Sequence, residues 1–396
     1  MILEVELMKK TLLATTALVG AAVLAAPANA GTVGSKDAMN VTLGGMFWFS
    51  AYIKDEDVST GINRGYGFTV SESEVWVKAS NTADNGIKYG VVVELAAGAA
   101  DTTDADEAFA YLSSPTWGTI QMGDQDDVTN QKQVGAWNAT KGASGPFGGL
   151  GGLNTMFGGL GTDTLQGRAD WQVITTSDDT KINYMTPNFS GFQLGASWTP
   201  DTGEVSGGAA TADSDSDGDF ENVLGISANY TGKFDGVAVK LSAGYESGTD
   251  ENATGAEIED LEVMGVGGMI AVGAFSAGVH WRDYGDTFLT EAQTLAGADG
   301  GNQMSVGLGY QMGPLGVSAW YLKGEKDNST TASAAGATET EIVRYGLGAG
   351  YNVAPGWQLK AELSFLSHDN PTTAAGVGGT TDNDGKGFLL VNRFFF

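Results

Sequence analysis

Apolar residues alternate with small or polar residues along most of the chain from Val41 onward. One segment carries Val343, Tyr345, Leu347, Ala349, Tyr351 and Val353 on one face, and Arg344, Gly346, Gly348, Gly350 and Asn352 on the other. Successive side chains of a β-strand point to opposite faces, so a period of two predicts strands with one apolar face. Many segments run to about ten residues or more, the length that a tilted strand needs to cross a bilayer.

A soluble β-sandwich would show the same alternation, with its apolar face turned inward. Two features favour a membrane protein. The segments exceed the usual five or six residues, roughly, of strands in soluble sheets. Aromatic residues also collect near segment ends, as in the girdles of transmembrane barrels. These aromatics are Trp48, Tyr52, Trp198, Tyr230, Tyr245, Trp281, Tyr284, Tyr310, Tyr321, Tyr351 and Trp357.

The connections between segments alternate between short and long. Short turns are predicted at residues 81–85, 114–115, 188–191, 232–236, 271–274, 313–315 and 354–356. Long polar loops are predicted at 55–63, 99–106, 125–178, 200–219, 247–257, 285–301, 325–338 and 369–384. Fifteen connections join sixteen strands. An even strand count with short turns at one end predicts an all-β fold, a closed 16-stranded antiparallel transmembrane β-barrel with both termini on the inner side.

The N-terminal residues predict export. Lys9 and Lys10 precede an apolar run over residues 12–26, and residues 28–30 read Ala-Asn-Ala. This order of charge, apolar core and small-residue cleavage site is typical of a secretory signal peptide, assigned to residues 1–30. Residues 1–7 stand in front of the charged region, and we expect that they come from an upstream start codon assigned in error. Residues 31–396 are predicted to form one barrel domain.

Composition narrows the classes of function. The formal charge of −28 argues against nucleic acid as a partner. Cysteine is absent, which excludes disulfides, thiolate nucleophiles and cysteine-ligated metal sites. No stretch after the signal approaches the roughly 18 consecutive apolar residues of a membrane helix, so a membrane-spanning form has to use strands. The 60 glycines follow no Gly-X-Y period and indicate tight packing between strands and turns.

The last ten residues, 387–396, read Gly-Phe-Leu-Leu-Val-Asn-Arg-Phe-Phe-Phe, and the chain ends on an aromatic ring. Both faces of a strand here are mostly apolar, which in a soluble protein would leave an aggregation-prone edge. In a closed barrel both edges are paired and one face meets lipid. A terminal Phe after alternating apolar residues resembles the final strand of a Gram-negative outer-membrane porin.

Two internal patterns extend this resemblance. Residues 108–114 and 117–123 resemble the strand, turn and strand that lead into the third loop of the general porins, and residues 182–192 resemble the strand and turn that leave it. The resemblance covers the whole mature chain in layout. It implies an outer-membrane channel for passive diffusion of small hydrophilic solutes and ions, without enzymatic activity. It also implies a homotrimer in contact with membrane lipid and lipopolysaccharide.

The loop at residues 125–178 is the longest connection and is rich in glycine. Long loops in compact domains are usually functional or disordered, and the water inside a wide barrel lets polar backbone fold inward. In the porin family this loop narrows the channel, and the resemblance places its tip at Pro146, Phe147, Gly148 and Gly149.

A constriction selects by its width and by the charge of its rim. The porin family sets acidic loop residues against basic residues on the facing wall. The acidic candidates are Asp124, Asp126, Asp127, Asp163 and Asp170. The basic candidates are Lys54, Lys78, Lys88, Arg168, Arg344 and Lys360.

The chain departs from the family pattern at two positions. The family often has Arg where Asp124 stands, and a Glu beside the tip Phe where Pro146 runs directly into Phe147. The basic cluster is therefore thinner than usual. Acidic loops with few lumenal arginines raise the local concentration of cations over roughly 8 to 10 Å. We expect mild cation selectivity.

Two other classes of function remain as alternatives. A channel specific for a sugar needs aromatics inside the pore, and the period of two puts most of them outside, with Trp48, Trp76, Phe109, Tyr111 and Trp320 as exceptions. An anion-specific channel is a variant of this class. A barrel hydrolase commonly needs a catalytic His, and the chain has only His280 and His368, neither in a recognisable hydrolase motif.

One acidic motif gives a metal hypothesis. Alternate carboxylates followed by glycine resemble the first half of an EF-hand calcium loop, but its twelfth position is Leu224 where a Glu is expected. A solvated acidic loop is the first interpretation and a calcium site the second, with no other cofactor expected. The candidate ligands are Asp213, Asp215, Asp217 and Asp219.

Overall fold

The structure, a computed structural model, describes residues 39–57, 65–97, 104–147, 156–157, 176, 178–203, 220–250, 258–327, 339–369 and 382–396. Sixteen strands account for most of them. They are β1 (Asn40–Glu56), β2 (Tyr66–Thr82), β3 (Lys88–Ala96), β4 (Asp104–Ser114), β5 (Gly118–Asp124), β6 (Thr180–Met185), β7 (Phe192–Asp201), β8 (Phe220–Phe234), β9 (Val237–Asp250), β10 (Leu261–Val272), β11 (Phe275–Asp283), β12 (Asn302–Met312), β13 (Leu315–Asp327), β14 (Glu339–Ala354), β15 (Trp357–Asp369) and β16 (Asn383–Phe395).

Helical structure in the described ranges is short and confined to loops. Helix α1 (Val128–Gln131) and two 3₁₀ turns, Ala136–Asn138 and Gly145–Phe147, lie in the connection between β5 and β6. Helix α2 (Glu291–Leu295) lies between β11 and β12. None of these helices has the length and apolarity to cross a membrane. The predicted signal peptide, residues 1–30, falls outside the described residues.

Every strand pairs antiparallel with its neighbours in sequence, and β1 pairs with β16 to close the barrel. The seam is long and regular, running from Met46 opposite Phe395 to Glu56 opposite Gly385. Closure leaves no strand edge unpaired, which is what allows a sheet to lie in lipid. The sequence-based prediction of a closed antiparallel barrel of sixteen strands is confirmed.

The two faces of the wall differ sharply in exposure. Leu194 and Leu347 are 57% and 59% exposed, whereas Ser305 and Ser364 are 1% and 0% exposed. A soluble sandwich would bury the apolar face and expose the polar one. The structure shows the opposite arrangement, which excludes a soluble β-sandwich. We call the side with the exposed Leu, Ile, Phe and Tyr residues the apolar face, and the opposite side the polar face.

The turns predicted from sequence join strand pairs in the structure. Between β8 and β9, Asp235 and Gly236 have φ of 44° and 87°. Positive φ at both central residues is characteristic of two-residue hairpin turns, because their twist matches that of the strands. Several predicted loop boundaries were misplaced by a few residues: β9 runs to Asp250 into the loop assigned to residues 247–257, and the loop assigned to residues 99–106 gives way to β4 at Asp104. That difference matters for the interior.

Candidate functional site

The described first part of the β5–β6 loop, residues 125–147, lies against the polar face of the wall. Helix α1 contacts β6 to β9, the 3₁₀ turn at residues 136–138 contacts β10 to β12, and the turn at residues 145–147 contacts β12 to β14. This path explains several buried residues in a loop, including Val128 and Ala136. The loop follows the barrel wall across more than half of its strands.

Glycines on the polar face make room for this loop. A Cβ added at Gly267 would overlap the carbonyl oxygen of Val134, and one added at Gly309 would overlap that of Ala139. A glycine in a strand costs backbone entropy and is expected where another backbone approaches closely. From the sequence, the glycines indicate tight packing between strands and turns. At Gly267 and Gly309 the close contact is between a strand and the β5–β6 loop.

Side chains of the wall fasten the loop backbone along its length. Ser242 Oγ accepts a hydrogen bond from the Val134 backbone N–H at 2.8 Å. Ser318 Oγ accepts one from the Lys141 N–H at 2.9 Å. These bonds satisfy backbone groups that are withdrawn from water and would otherwise cost free energy.

The strongest hydrogen bonds between the wall and the loop lie next to the predicted loop tip at residues 146–149. Glu362 of β15 accepts hydrogen bonds from the backbone N–H groups of Ser144 at 3.1 Å and Gly145 at 2.9 Å. Arg393 of β16 donates to the Ala143 carbonyl oxygen. Hydrogen bonds to the Glu362 carboxylate and from the Arg393 guanidinium involve charged groups. They are therefore stronger than the hydrogen bonds to Ser242 and Ser318. The turn at residues 143–145 is therefore held between a carboxylate and a guanidinium.

Arg393 was not selected as a site residue from the sequence. It shares a strand face with Leu389 and Val391, and the last strand looks apolar on both sides. In the structure Leu389 and Val391 are buried on the polar face, so Arg393 points to the interior. Its guanidinium lies 3.8 Å from the ring centroid of Trp48 in β1. Only the register of the closing seam places these two residues opposite each other.

A second feature absent from the sequence-based selection is a wall of carboxyl groups on β2 to β4. We call these residues the acidic wall. It consists of Glu72, Glu74, Glu94, Asp106 and Glu107. Carboxyl oxygens of Glu74, Glu94 and Asp106 all lie within 4.8 Å of one another. The alternation of apolar and polar residues could have identified Glu72, Glu74 and Glu94 from the sequence, because all three stand at polar positions of their strands.

Asp106 could not have been found in that way. The register of β3 against β4 shifts between Glu94 and Leu95, which pair with Glu107 and Ala105 and leave Asp106 as the extra residue. Such a bulge re-aims side chains next to functional sites. Here it turns two consecutive carboxyl groups, those of Asp106 and Glu107, toward the same side.

Among the residues that the structure describes, few basic groups accompany the acidic wall. The Lys78 ammonium lies 3.5 Å from a Glu94 carboxyl oxygen and 5.3 Å from the ring centroid of Trp76. The Trp76 indole N–H donates to Glu74 at 2.7 Å. Lys78 is the predicted basic candidate that the structure brings to this wall.

The acidic residues predicted to line the constriction lie in different surroundings in the structure. Asp126 joins Glu107 and Asp178 in a group whose carboxyl oxygens lie within 4.8 Å of one another. Burial, reinforced by the charges of Glu107 and Asp178, raises the pKa of Asp126 well above its usual value. Asp127 is buried under α1, and Asp124 accepts a hydrogen bond from Thr180 at 2.5 Å.

The other basic candidates are spread around the barrel. Lys54 pairs with Glu56, and Lys88 is exposed at the start of β3. Arg344 is buried near the Trp320 ring, and Lys360 donates to the Lys141 carbonyl oxygen at 3.1 Å. Pro146 and Phe147 lie in the 3₁₀ turn held by Glu362. Outside the described residues lie Asp163, Arg168, Asp170, Gly148, Gly149, Asp213, Asp215, Asp217 and Asp219.

A closed antiparallel barrel with an exposed apolar face and a polar interior defines a transmembrane β-barrel of the bacterial outer membrane. The chain belongs to the Gram-negative porin family, whose sequence model matches residues 14–371. It is thus a multi-pass outer-membrane protein, and family and fold together support a channel. A comparison with curated proteins found no match.

Solved structures agree with this assignment at the level of the fold. The anion-selective porin from Comamonas acidovorans superposes with a TM-score of 0.59 at 19% identity, over 90% of this chain and 100% of that one. OmpT of Vibrio cholerae, described in a trimer form, gives 0.58 at 15% identity over 91% and 100%. A mutant of the porin of Rh. blastica gives 0.53 at 17% identity over 90% and 100%.

Proposed function

We propose that the protein forms a water-filled channel for passive diffusion of small hydrophilic solutes and ions, that it prefers cations, and that it catalyses no reaction. The observation that carries the cation preference is the acidic wall on β2 to β4. Family membership and the barrel fold support the channel itself.

The loop at residues 125–178 is proposed to narrow this channel. Its residues 125–147 rest on the polar face from β6 to β16. The Asp126 backbone N–H donates to Glu107 of the acidic wall at 3.2 Å, and we expect the remaining carboxyl groups of that wall to border the opening. Permeating ions would then pass between the loop and a surface of carboxyl groups, where the rim charge has most influence.

The charge balance of the opening favours cations. Lys78 pairs with Glu94, so the wall keeps an excess of negative charge. A fixed negative surface concentrates cations and repels anions within a Debye length of roughly 8 to 10 Å. The Comamonas acidovorans porin is described as anion-selective, but at 19% identity its selectivity does not transfer to this chain.

Reversal potentials in planar bilayers under a KCl gradient test the proposal. Zero-current voltages should show K⁺ passing more readily than Cl⁻. Combining Glu72→Gln, Glu74→Gln and Glu94→Gln should move the voltage toward that of an unselective pore. Glu262→Gln is the matched control, because Glu262 is an exposed carboxyl bonded to Tyr245 on the outer side. A clear preference for chloride in the unaltered protein would refute cation selectivity.

We also propose a homotrimer embedded in lipid and lipopolysaccharide. The Vibrio cholerae relative described as a trimer form supports this assembly. Stepwise conductance in multiples of three, together with the mass of the detergent-solubilised particle, tests it. A stable monomeric particle with single conductance steps would contradict it.

The rival functions find less support. Trp48 and Trp320, the best-placed aromatics for a sugar path, are only 5% and 4% exposed. His280 and His368 are buried too, and His280 packs on Trp137 at 5.0 Å between ring centroids. A catalytic imidazole has to reach a substrate. Solute-specific block of the current would favour the sugar channel, and hydrolysis by the solubilised protein would favour the enzyme.

A further inference from the structure

Three buried side chains meet where α1 rests on the barrel wall. The Thr129 hydroxyl oxygen lies 2.6 Å from Glu246 Oε1, and 2.9 and 3.0 Å from the two carboxyl oxygens of Asp127. Asp127 also accepts a hydrogen bond from the Asn130 backbone N–H at 2.8 Å and so caps the helix. All three of the meeting side chains are at most 3% exposed.

On the Asp127 side the donors are the Asn130 N–H and the Ser197 hydroxyl, whose oxygen lies 3.4 Å from Asp127 Oδ2, and Thr129 is placed between Asp127 and Glu246. The Thr129 hydroxyl has one proton and can donate it to one carboxyl group only. The shared contact with the Thr129 hydroxyl brings the Asp127 and Glu246 carboxyl groups close enough to interact electrostatically. Two carboxylates withdrawn from water repel, and such pairs hold a proton in common. Glu246 Oε2 has no hydrogen-bond donor in the described part of the chain.

The surrounding charges do not replace that proton. Arg282 of β11 acts on Glu246, but the charge of Asp127 acts on the same carboxyl group more strongly and in the opposite direction. Lys181 of β6 acts on Asp127, yet it donates to the backbone carbonyls of residues 125, 176 and 179. Asp126 adds a further negative group beside Asp127. His280, on the same strand as Arg282, faces Trp137.

We propose that Glu246 keeps a proton where it meets Asp127 and Thr129, and that this proton fastens α1 and the first part of the loop to the wall. Loss of the proton at alkaline pH places two negative charges in contact within a dry site. The helix then leaves the wall, and the opening that the loop borders changes. This pH-dependent seating of the loop rests on the proposed role of the loop in the channel.

A thiol readout tests the contact without reference to conduction. The chain contains no cysteine, so Val128→Cys introduces a single thiol. Val128 is buried and packs where Gly195 leaves space for it. At about pH 9.5, a small water-soluble thiol reagent should modify this variant about tenfold faster than Val128→Cys combined with Glu246→Gln. Both proteins are compared at one pH, so ionisation of the thiol cancels.

The neutral glutamine stands in for a protonated carboxyl group that no pH change can ionise. It should keep α1 seated at alkaline pH, so the thiol stays protected. Asp127→Asn is the second variant, because asparagine also caps helices and is likewise neutral. It keeps the proposal testable if Glu246→Gln does not fold. Equal modification rates with and without the neutral residue would overturn the proposal.

Single-channel conductance from about pH 5 to about pH 10 gives the second readout. The unaltered protein should show a reversible change on the alkaline side, and Glu246→Gln should lack it. Glu339→Gln removes an exposed carboxyl group at the start of β14, outside the acidic wall, and should keep the alkaline change. A change that persists in Glu246→Gln would overturn the proposal. A protein that conducts at no pH would refute the proposed channel. The rates of thiol modification would still test the proton at Glu246 in that case.

Discussion

Arg393 in the last strand lies over the Trp48 ring in the first strand, with 3.8 Å between the guanidinium carbon and the ring centroid. The two residues face each other across the seam that closes the barrel. The same guanidinium donates to the Ala143 carbonyl oxygen in the β5–β6 loop. One side chain thus connects barrel closure to the position of the loop.

Replacing Arg393 should weaken both connections. Arg393→Ala removes a cation–π contact worth about 0.5–2 kcal/mol and leaves the Ala143 carbonyl without this donor. We expect a lower unfolding temperature in detergent and larger current fluctuations in open channels. Arg393→Lys should recover little, because the ammonium lacks the planar fork of arginine. Lys386→Ala on the same strand is the control, since Lys386 is exposed, and an equal loss there would contradict the prediction.

Filling the space at Gly267 should displace the loop. Gly267→Ala places a methyl group against the Val134 carbonyl oxygen, and backbone cannot yield as a flexible side chain does. The loop should move away from the wall and toward the open path, which lowers single-channel conductance. Gly268→Ala is the neighbouring control. Its added methyl group meets the tip of Leu241 at 3.1 Å on the other face, and conductance should stay unchanged.

Removing the carboxylate of Glu362 should loosen the turn at residues 143–145. Glu362→Ala leaves the N–H groups of Ser144 and Gly145 without this acceptor, at about 1–3 kcal/mol for each group that stays buried. We expect faster proteolysis within residues 125–178 and a noisier open state. Glu339→Ala, at the exposed start of β14, should change neither. Unaltered proteolysis in Glu362→Ala would show that the serine contacts suffice.

Neutralising Lys78 should strengthen the preference for cations. Lys78→Gln removes the positive charge beside Glu94 and Trp76, and a unit charge near a watery path changes ion energies by ~0.5 kcal/mol. Because the energies of K⁺ and Cl⁻ shift in opposite directions, the permeability ratio of K⁺ to Cl⁻ should rise about fivefold, as read from the reversal potential. Lys88→Gln, at the exposed start of β3, is the control. An unchanged ratio for Lys78→Gln would place the acidic wall away from the conduction path.

Much of the barrel could be predicted from the chain alone, because alternation and turn residues are local properties. Segments such as residues 343–353 carry their strand period and their apolar face in consecutive residues. Counting turns and loops then led to sixteen strands, and the terminal Phe396 pointed to the family. The seven short turns needed no tertiary information, since turn-forming residues such as Gly236 are visible in the sequence.

The interior depended on tertiary structure. Arg393 reads as part of an apolar strand until the register of the seam sets it against Trp48, and a bulge aims Asp106 beside Glu107. The local alternation of apolar and polar residues predicts neither the register between distant strands nor the position of a β-bulge. The sequence alone therefore determined the strands and their two faces. Only the closed barrel decided which charges share the interior, because residues far apart in sequence meet there.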